Sequence, residues 1–137
     1  MAKIFLCEDD PLLVRLYQEK FTNDGYQMET ALNGEEGLTK MKQTKPDLVL
    51  LDIMMPKMDG LEVLAAMKKD PDLKGIPVIL LTNVFRGKED VNRGLEMGAV
   101  AYLVKSDVTP AHVVAKVKEI LAAHTKEETP TVREVPK

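Results

Sequence analysis

Five short apolar runs are each followed by an amphipathic stretch, and strict alternation of this kind leaves few architectures open. The runs are Lys3–Cys7, Gln27–Ala31, Leu48–Leu51, Pro77–Leu81 and Ala101–Val104. Three of them are continuous rather than alternating in polarity, as expected of strands covered on both faces. Strands linked through helices form parallel pairs with right-handed crossovers. The expected fold is therefore α/β: a doubly wound, five-stranded parallel sheet with helices on both faces.

The helix boundaries carry their own signals. Asp10-Pro11 reads as an N-cap followed by proline at the first helical position, with Leu13, Leu16, Tyr17 and Phe21 as the inward stripe and a stop at Asp24-Gly25. Asn33 with Glu36 resembles a capping box, opening a helix that runs to Lys45-Pro46. Asp59-Gly60 opens the third helix, with Val63, Leu64 and Met67 inward and Pro71 beyond its end. The fourth, about Lys88 to Met97, is the weakest: its stripe is little more than Val91 and Leu95, and Gly94 costs about 0.8–1 kcal/mol relative to alanine. Thr109-Pro110 opens the fifth, whose stripe is Val113, Val114, Val117, Ile120 and Leu121. Residues 1–124 thus read as one domain. Thr125 to Lys137 is polar, holds two prolines and lacks periodicity, and is expected to be a disordered tail or linker stub.

Composition narrows the function. A net charge of −3 and the lack of a basic run argue against direct nucleic-acid contact. The single cysteine, Cys7, falls inside a strand and reads as a small core residue, so there is no disulfide framework. No apolar stretch approaches the roughly 20 residues of a membrane helix, and Lys3 interrupts any signal-peptide start. A soluble, cytoplasmic setting without membrane contact is expected.

The polar residues at the strand ends are the informative ones. In a doubly wound sheet, ligands bind beyond the carboxyl ends of the strands at a switch point. Glu8 and Asp9 follow the first run, Asp52 the third, Thr82 the fourth and Lys105 the fifth. Three carboxylates in one crevice repel one another unless a cation intervenes. Mg²⁺ suits them, being hard, oxygen-seeking and usually held by one or two carboxylates, waters and a phosphate. Asp52 is then the candidate nucleophile, since a carboxylate can form an aspartyl phosphate. The metal would bridge Asp52 and a phosphoryl oxygen, Lys105 would pair with a second oxygen and the Thr82 hydroxyl would donate to a third. The Met54 carbonyl would complete the metal shell. Taken singly, each residue is ordinary: Asp10 a cap, Glu8 or Asp9 a loop carboxylate, Thr82 a strand-end residue, Lys105 a solvated lysine, Tyr102 a strand aromatic, and His112 and His124 helix-surface residues. Only the ordered set is specific.

That set resembles the receiver domain of two-component response regulators, including the chemotaxis regulator. The resemblance rests on Glu8-Asp9, the stretch Asp52-Ile53-Met54-Met55-Pro56-Lys57-Met58-Asp59-Gly60, Thr82 and Lys105, and it covers about Lys3 to Ala123. It implies the flavodoxin-like strand order 2-1-3-4-5. It implies that Asp52 is phosphorylated from a histidine kinase or phosphotransfer protein, with Mg²⁺, and that the acyl phosphate hydrolyses itself. The chain is then a switch rather than an enzyme turning over a separate substrate. Thr82 and Tyr102 match a coupled pair that remodels the face of the fourth helix, fifth strand and fifth helix. That face would contact an output protein or a second copy in a homodimer, and the kinase would dock near Leu12 to Arg15. Moving such a switch from 1:99 to 99:1 takes about 5.5 kcal/mol.

Three positions depart from the family pattern. Ser106 follows Lys105 where a cis-proline is usual, and a cis bond before serine costs about 2.5–4 kcal/mol. Asn83 follows Thr82 where a smaller residue is common. Met54 is apolar near the path of the hydrolytic water, so slow loss of phosphate is expected. Rival readings remain. An aspartyl phosphatase would need an acid two residues after its nucleophile, where Met54 stands. A flavodoxin-type module would need a phosphate cradle where Glu8-Asp9-Asp10-Pro11 repels anions. A receiver-like docking module independent of phosphorylation is the third.

Overall fold

The computed structural model describes residues 2–82 and 87–128. Asn83 and the stretch 129–137 therefore lie outside the described residues. In chain order the elements are β1 (Lys3–Cys7), α1 (Pro11–Asn23), β2 (Gln27–Ala31), α2 (Gly34–Thr44), β3 (Leu48–Asp52), α3 (Gly60–Lys69), β4 (Val78–Thr82), α4 (Gly87–Glu96), β5 (Ala101–Val104) and α5 (Pro110–Glu128), with a 3-10 turn at Lys105–Asp107. The sheet is parallel throughout, in the order β2-β1-β3-β4-β5, so the chain reverses its winding between β1 and β3.

Alternate residues of the central strands feed two cores. Phe5, Cys7, Val49, Leu51, Val78 and Leu80 face α2, α3 and α4, where Met41, Val63, Leu64, Met67 and Val91 meet them. Ile4, Leu6, Leu48, Leu50, Ile79 and Leu81 face α1 and α5, against Val14, Tyr17, Phe21, Val113 and Val117. Both faces are covered, which is why β3 and β4 are buried along their whole length. Burying each such side chain is worth about 1.5–3 kcal/mol.

Several boundaries differ from the sequence reading. β3 and β4 each run one residue further, to Asp52 and Thr82, because the ladder continues past the last apolar side chain: the Ile53 N–H donates to the Leu81 carbonyl at 3.0 Å. In α1 the buried residues are Val14, Tyr17 and Phe21, while Leu16 is 46% exposed. At α2 the Asn33 side chain accepts from the Glu36 N–H, but Glu36 accepts from Leu32 rather than from Asn33, so the box is offset by one residue. A reciprocal capping box sits at Asp59 and Glu62, opening α3. Helix α5 continues four residues into the stretch read as tail, through the good helix formers Lys126, Glu127 and Glu128. Gly94 is more than a weakness in α4. It is buried, and a Cβ there would collide with Leu80 Cδ1.

Candidate functional site

The carboxyl edge of the sheet gathers the charged residues. β3 carries Asp52 as its last residue, paired in register with Leu81 of β4. β1 carries Glu8 one residue past its end, where the Glu8 N–H still donates to the Ala31 carbonyl at 3.0 Å. One oxygen from each of Glu8, Asp9 and Asp52 lies within 4.8 Å of the others. Glu8 and Asp52 are buried, whereas Asp9 is exposed.

Lys105, just past β5, reaches across the edge. Its Nζ lies 3.0 Å from Glu8 Oε1 and 3.0 Å from Asp52 Oδ2. The remaining oxygens are held by backbone: Asp10 N–H donates to Glu8 Oε2 at 3.1 Å and Met54 N–H to Asp52 Oδ1 at 3.2 Å. Glu8 Oε1 and Asp52 Oδ2 are both fully buried, and each has Lys105 as its counter-charge. One ammonium is thus shared between two buried carboxylates, with a third nearby.

The titration behaviour follows. Burial, and then the neighbouring Asp52 charge, push Glu8 up to about 7 against the pull of Lys105. Burial raises Asp52 as well, although Lys105 and the Met54 N–H favour its ionised form. Burial works against the Lys105 ammonium, but Asp52 and Glu8 outweigh it and hold its pKa above the usual lysine value. Burial also pushes the Cys7 thiol, one residue before Glu8, up to about 12 and leaves it inert. Three carboxylates gathered around one ammonium leave an excess of negative charge that fits a hard divalent cation.

The loop after Asp52 is tightly built. Lys57 has φ 69°, and Met58 N–H bonds back to the Pro56 carbonyl at 2.7 Å, closing a three-residue turn. Gly60 N–H donates to the Ile53 carbonyl at 2.8 Å. A Cβ on Gly60 would strike the Asp52 carbonyl, and one on Gly34 would strike the Met58 carbonyl. In the sequence Gly60 marks the start of a helix and closes the stretch after Asp52 that carries the family resemblance. Its second role, letting α3 close onto the backbone of Asp52, depends on a through-space approach with no local signature.

The sequence-predicted residues separate into groups. Glu8, Asp9, Asp52 and Lys105 converge, and Met54 joins them through its backbone while its side chain is 42% exposed. Thr82 is buried at the adjoining end of β4. Tyr102 lies on the edge strand β5 and is 46% exposed. No peptide bond among the described residues is cis, so Lys105-Ser106 is trans and opens the 3-10 turn instead.

The family model described as the response regulator receiver domain matches residues 4–118, taking in every one of these residues. The chain belongs to the response regulator receiver family. This receiver is 40% identical over 104 residues to the response regulator PleD of Caulobacter vibrioides, an alignment covering 76% of this chain and 23% of that protein. It is 39% identical to the alkaline phosphatase synthesis transcriptional regulatory protein PhoP of Bacillus subtilis, over 87% of this chain and 48% of that protein. It thus spans about half or less of these two relatives. Among solved structures, a CheY-like response regulator receiver domain protein from Methanospirillum hungatei aligns with a TM-score of 0.85 and 31% identity, over 93% of this chain and 98% of that one. Receivers are signalling modules that interact with histidine kinases or phosphotransfer proteins. No helix among the described residues is long and apolar enough to cross a membrane.

Proposed function

We propose that this receiver is a phosphoacceptor switch whose acceptor is Asp52. The observation that carries the reading is the Asp52 carboxylate, buried at the sheet edge with Lys105 at 3.0 Å and the oxygens of Glu8 and Asp9 within 4.8 Å. In the transfer, an Asp52 oxygen attacks the phosphorus of a phosphohistidine. The P–N bond breaks, its electron pair stays on the imidazole, and an acyl phosphate forms. Mg²⁺, held by Glu8, Asp9, Asp52 and the Met54 carbonyl, would neutralise charge on the phosphoryl oxygens. Lys105 turns from Glu8 and Asp52 toward one of those oxygens, and the Thr82 hydroxyl donates to another. Water later cleaves the acyl phosphate, past the exposed side chain of Met54, which is expected to slow it. Residues 1–124 form the signalling domain on this reading, in the cytoplasm, and no separate substrate is turned over. Tyr102 reports the state of Thr82 to the α4-β5-α5 face, which binds an output protein or a second copy.

Incubation with acetyl phosphate and Mg²⁺ tests this by intact mass. Wild type should gain one phosphoryl group and Asp52→Asn none. A gain that survives Asp52→Asn would overturn the assignment, and no gain in wild type would favour a docking module that works without phosphate.

A further inference from the structure

Helix α4 sits against the sheet through very little. Among its described side chains only Val91 is buried, and Leu95 is 38% exposed. At Gly94 the backbone itself comes close to the sheet. A Cβ there would overlap Leu80 Cδ1 and stand 3.4 Å from Leu61 Cδ2 and 3.6 Å from Leu80 Cγ. Leu80 lies in β4, two residues before Thr82, and Leu61 opens α3 just after Gly60. The same glycine is tied toward β5. Its carbonyl accepts from the Ala99 N–H at 3.0 Å, and the next N–H, of Val100, donates to Val78 of β4 at 2.9 Å. Val100 and Tyr102 then lead onto the surface, 48% and 46% exposed. Leu80 thus meets Gly94 and is itself paired in register with Tyr102 of β5, while Gly94 is bonded to Ala99, so the middle of β4 is linked to the segment that carries the exposed apolar residues Leu95, Val100 and Tyr102.

We infer that Gly94 is a spacer that fixes the height of α4 above Leu80, and that this contact sets the resting arrangement of the α4–β5 face. A side chain of one methyl at position 94 forces α4 outward, because the atom it meets is the Cδ1 of a fully buried core leucine. The N-terminal part of α4, anchored through Val91, follows. The exposed residues Leu95, Val100 and Tyr102 shift with it, since Gly94 and Val100 are joined through Ala99. The inference adds a residue-level device to the switch reading, and its link to signalling rests on that reading; the packing claim itself does not.

The test is amide hydrogen exchange across residues 91–102 in the full chain. Wild type is compared with Gly94→Ala, Leu80→Val and the double variant. Gly94→Ala should accelerate exchange in this segment at least tenfold while leaving β1 and β3 at wild-type rates. Valine lacks the reach of the leucine Cδ1, so the double variant should return to within about threefold of Leu80→Val alone. Alanine is the better helix former. Slower or unchanged exchange in Gly94→Ala would therefore overturn the spacer, as would acceleration that Leu80→Val fails to relieve. Mass gain with acetyl phosphate is read on the same samples. A wild type that gains no phosphate defeats the acceptor reading without touching the spacer, so the two failures are distinguishable.

Discussion

Glu8 is the residue at which a raised proton affinity and a shared lysine meet. Its carboxyl is fully buried, shares Lys105 with Asp52, and is pushed up to about 7 from an ordinary 4.5 by burial and by the Asp52 charge. The metal-free folded protein therefore holds this proton more tightly than the unfolded chain does. The stabilisation from Glu8 is fully present below about pH 4.5 and is lost as pH rises through about 7. Chelator-treated protein should unfold at a lower urea concentration at about pH 8 than at about pH 5.5, and Glu8→Gln should flatten that difference. A wild-type midpoint that rises across this interval would contradict the burial argument. Lys105→Met should act in the opposite sense. It strips two buried carboxylates of their counter-charge, and breaking a buried pair costs about 3–5 kcal/mol. Because Lys105 is itself partly exposed, the lower end of that range is expected, read as a fall in the urea midpoint at about pH 8 and partly reversed by Mg²⁺. The positions of Glu8, Asp9, Asp52, Thr82 and Lys105 were legible in the sequence, because a charged or hydroxyl residue ending an apolar run has one place to go. What Lys105 touches was not, since the run of residues does not say that one ammonium serves both Glu8 and Asp52.

The elements were legible where local chemistry decides them, and less so where packing does. Asp10, Asp59 and Thr109 mark helix starts in the sequence and each accepts from a backbone N–H in the structure. β2 is recognisable by its alternation, with Met28 and Thr30 half-buried between the exposed Gln27 and Glu29, and only Ala31 fully buried. In the α1 stripe Leu13, Tyr17 and Phe21 turn inward as expected and only Leu16 does not, because Val14 and Leu16 flank the same arc and the position of the sheet decides which of the two is covered. The β3–α3 connection shows the same limit. Its capping box is a sequence motif, but Gly60 is required by the nearness of the Asp52 carbonyl, which only the closed loop reveals. Two substitutions separate these effects. Asp59→Ala removes a cap and should lower stability by about 1 kcal/mol, with acceptance of phosphate by Asp52 unchanged. Gly60→Ala should lower stability and also slow phosphorylation from acetyl phosphate, because the loop and Asp52 must move apart. Differential scanning calorimetry combined with intact-mass time courses checks both. Equal phosphorylation rates in the two variants would show that the close approach at Gly60 does not position Asp52.

At the scale of the molecule, the site joins strands that the sheet alone connects only side by side. Carboxylates come from the ends of β1 and β3 and the ammonium from beyond β5. A cation bound by the carboxylates stabilises the folded chain and has no equivalent site in the unfolded one, so binding and folding are linked. At a Mg²⁺ concentration one hundred times its dissociation constant, the gain is about 2.7 kcal/mol. Asp52→Asn should change two quantities at once. At about pH 8, where Glu8 is ionised, replacing a buried carboxylate by a neutral amide relieves its repulsion with Glu8, so the metal-free variant should unfold at a higher temperature than metal-free wild type. The same change removes one ligand charge, so the increment produced by Mg²⁺ should shrink. Thermal unfolding of both proteins, with chelator and across a Mg²⁺ titration, measures the two together. A variant less stable than wild type without metal would mean that Lys105 already compensates both carboxylates. The crowding of negative charge would then not be what prepares the sheet edge for a cation.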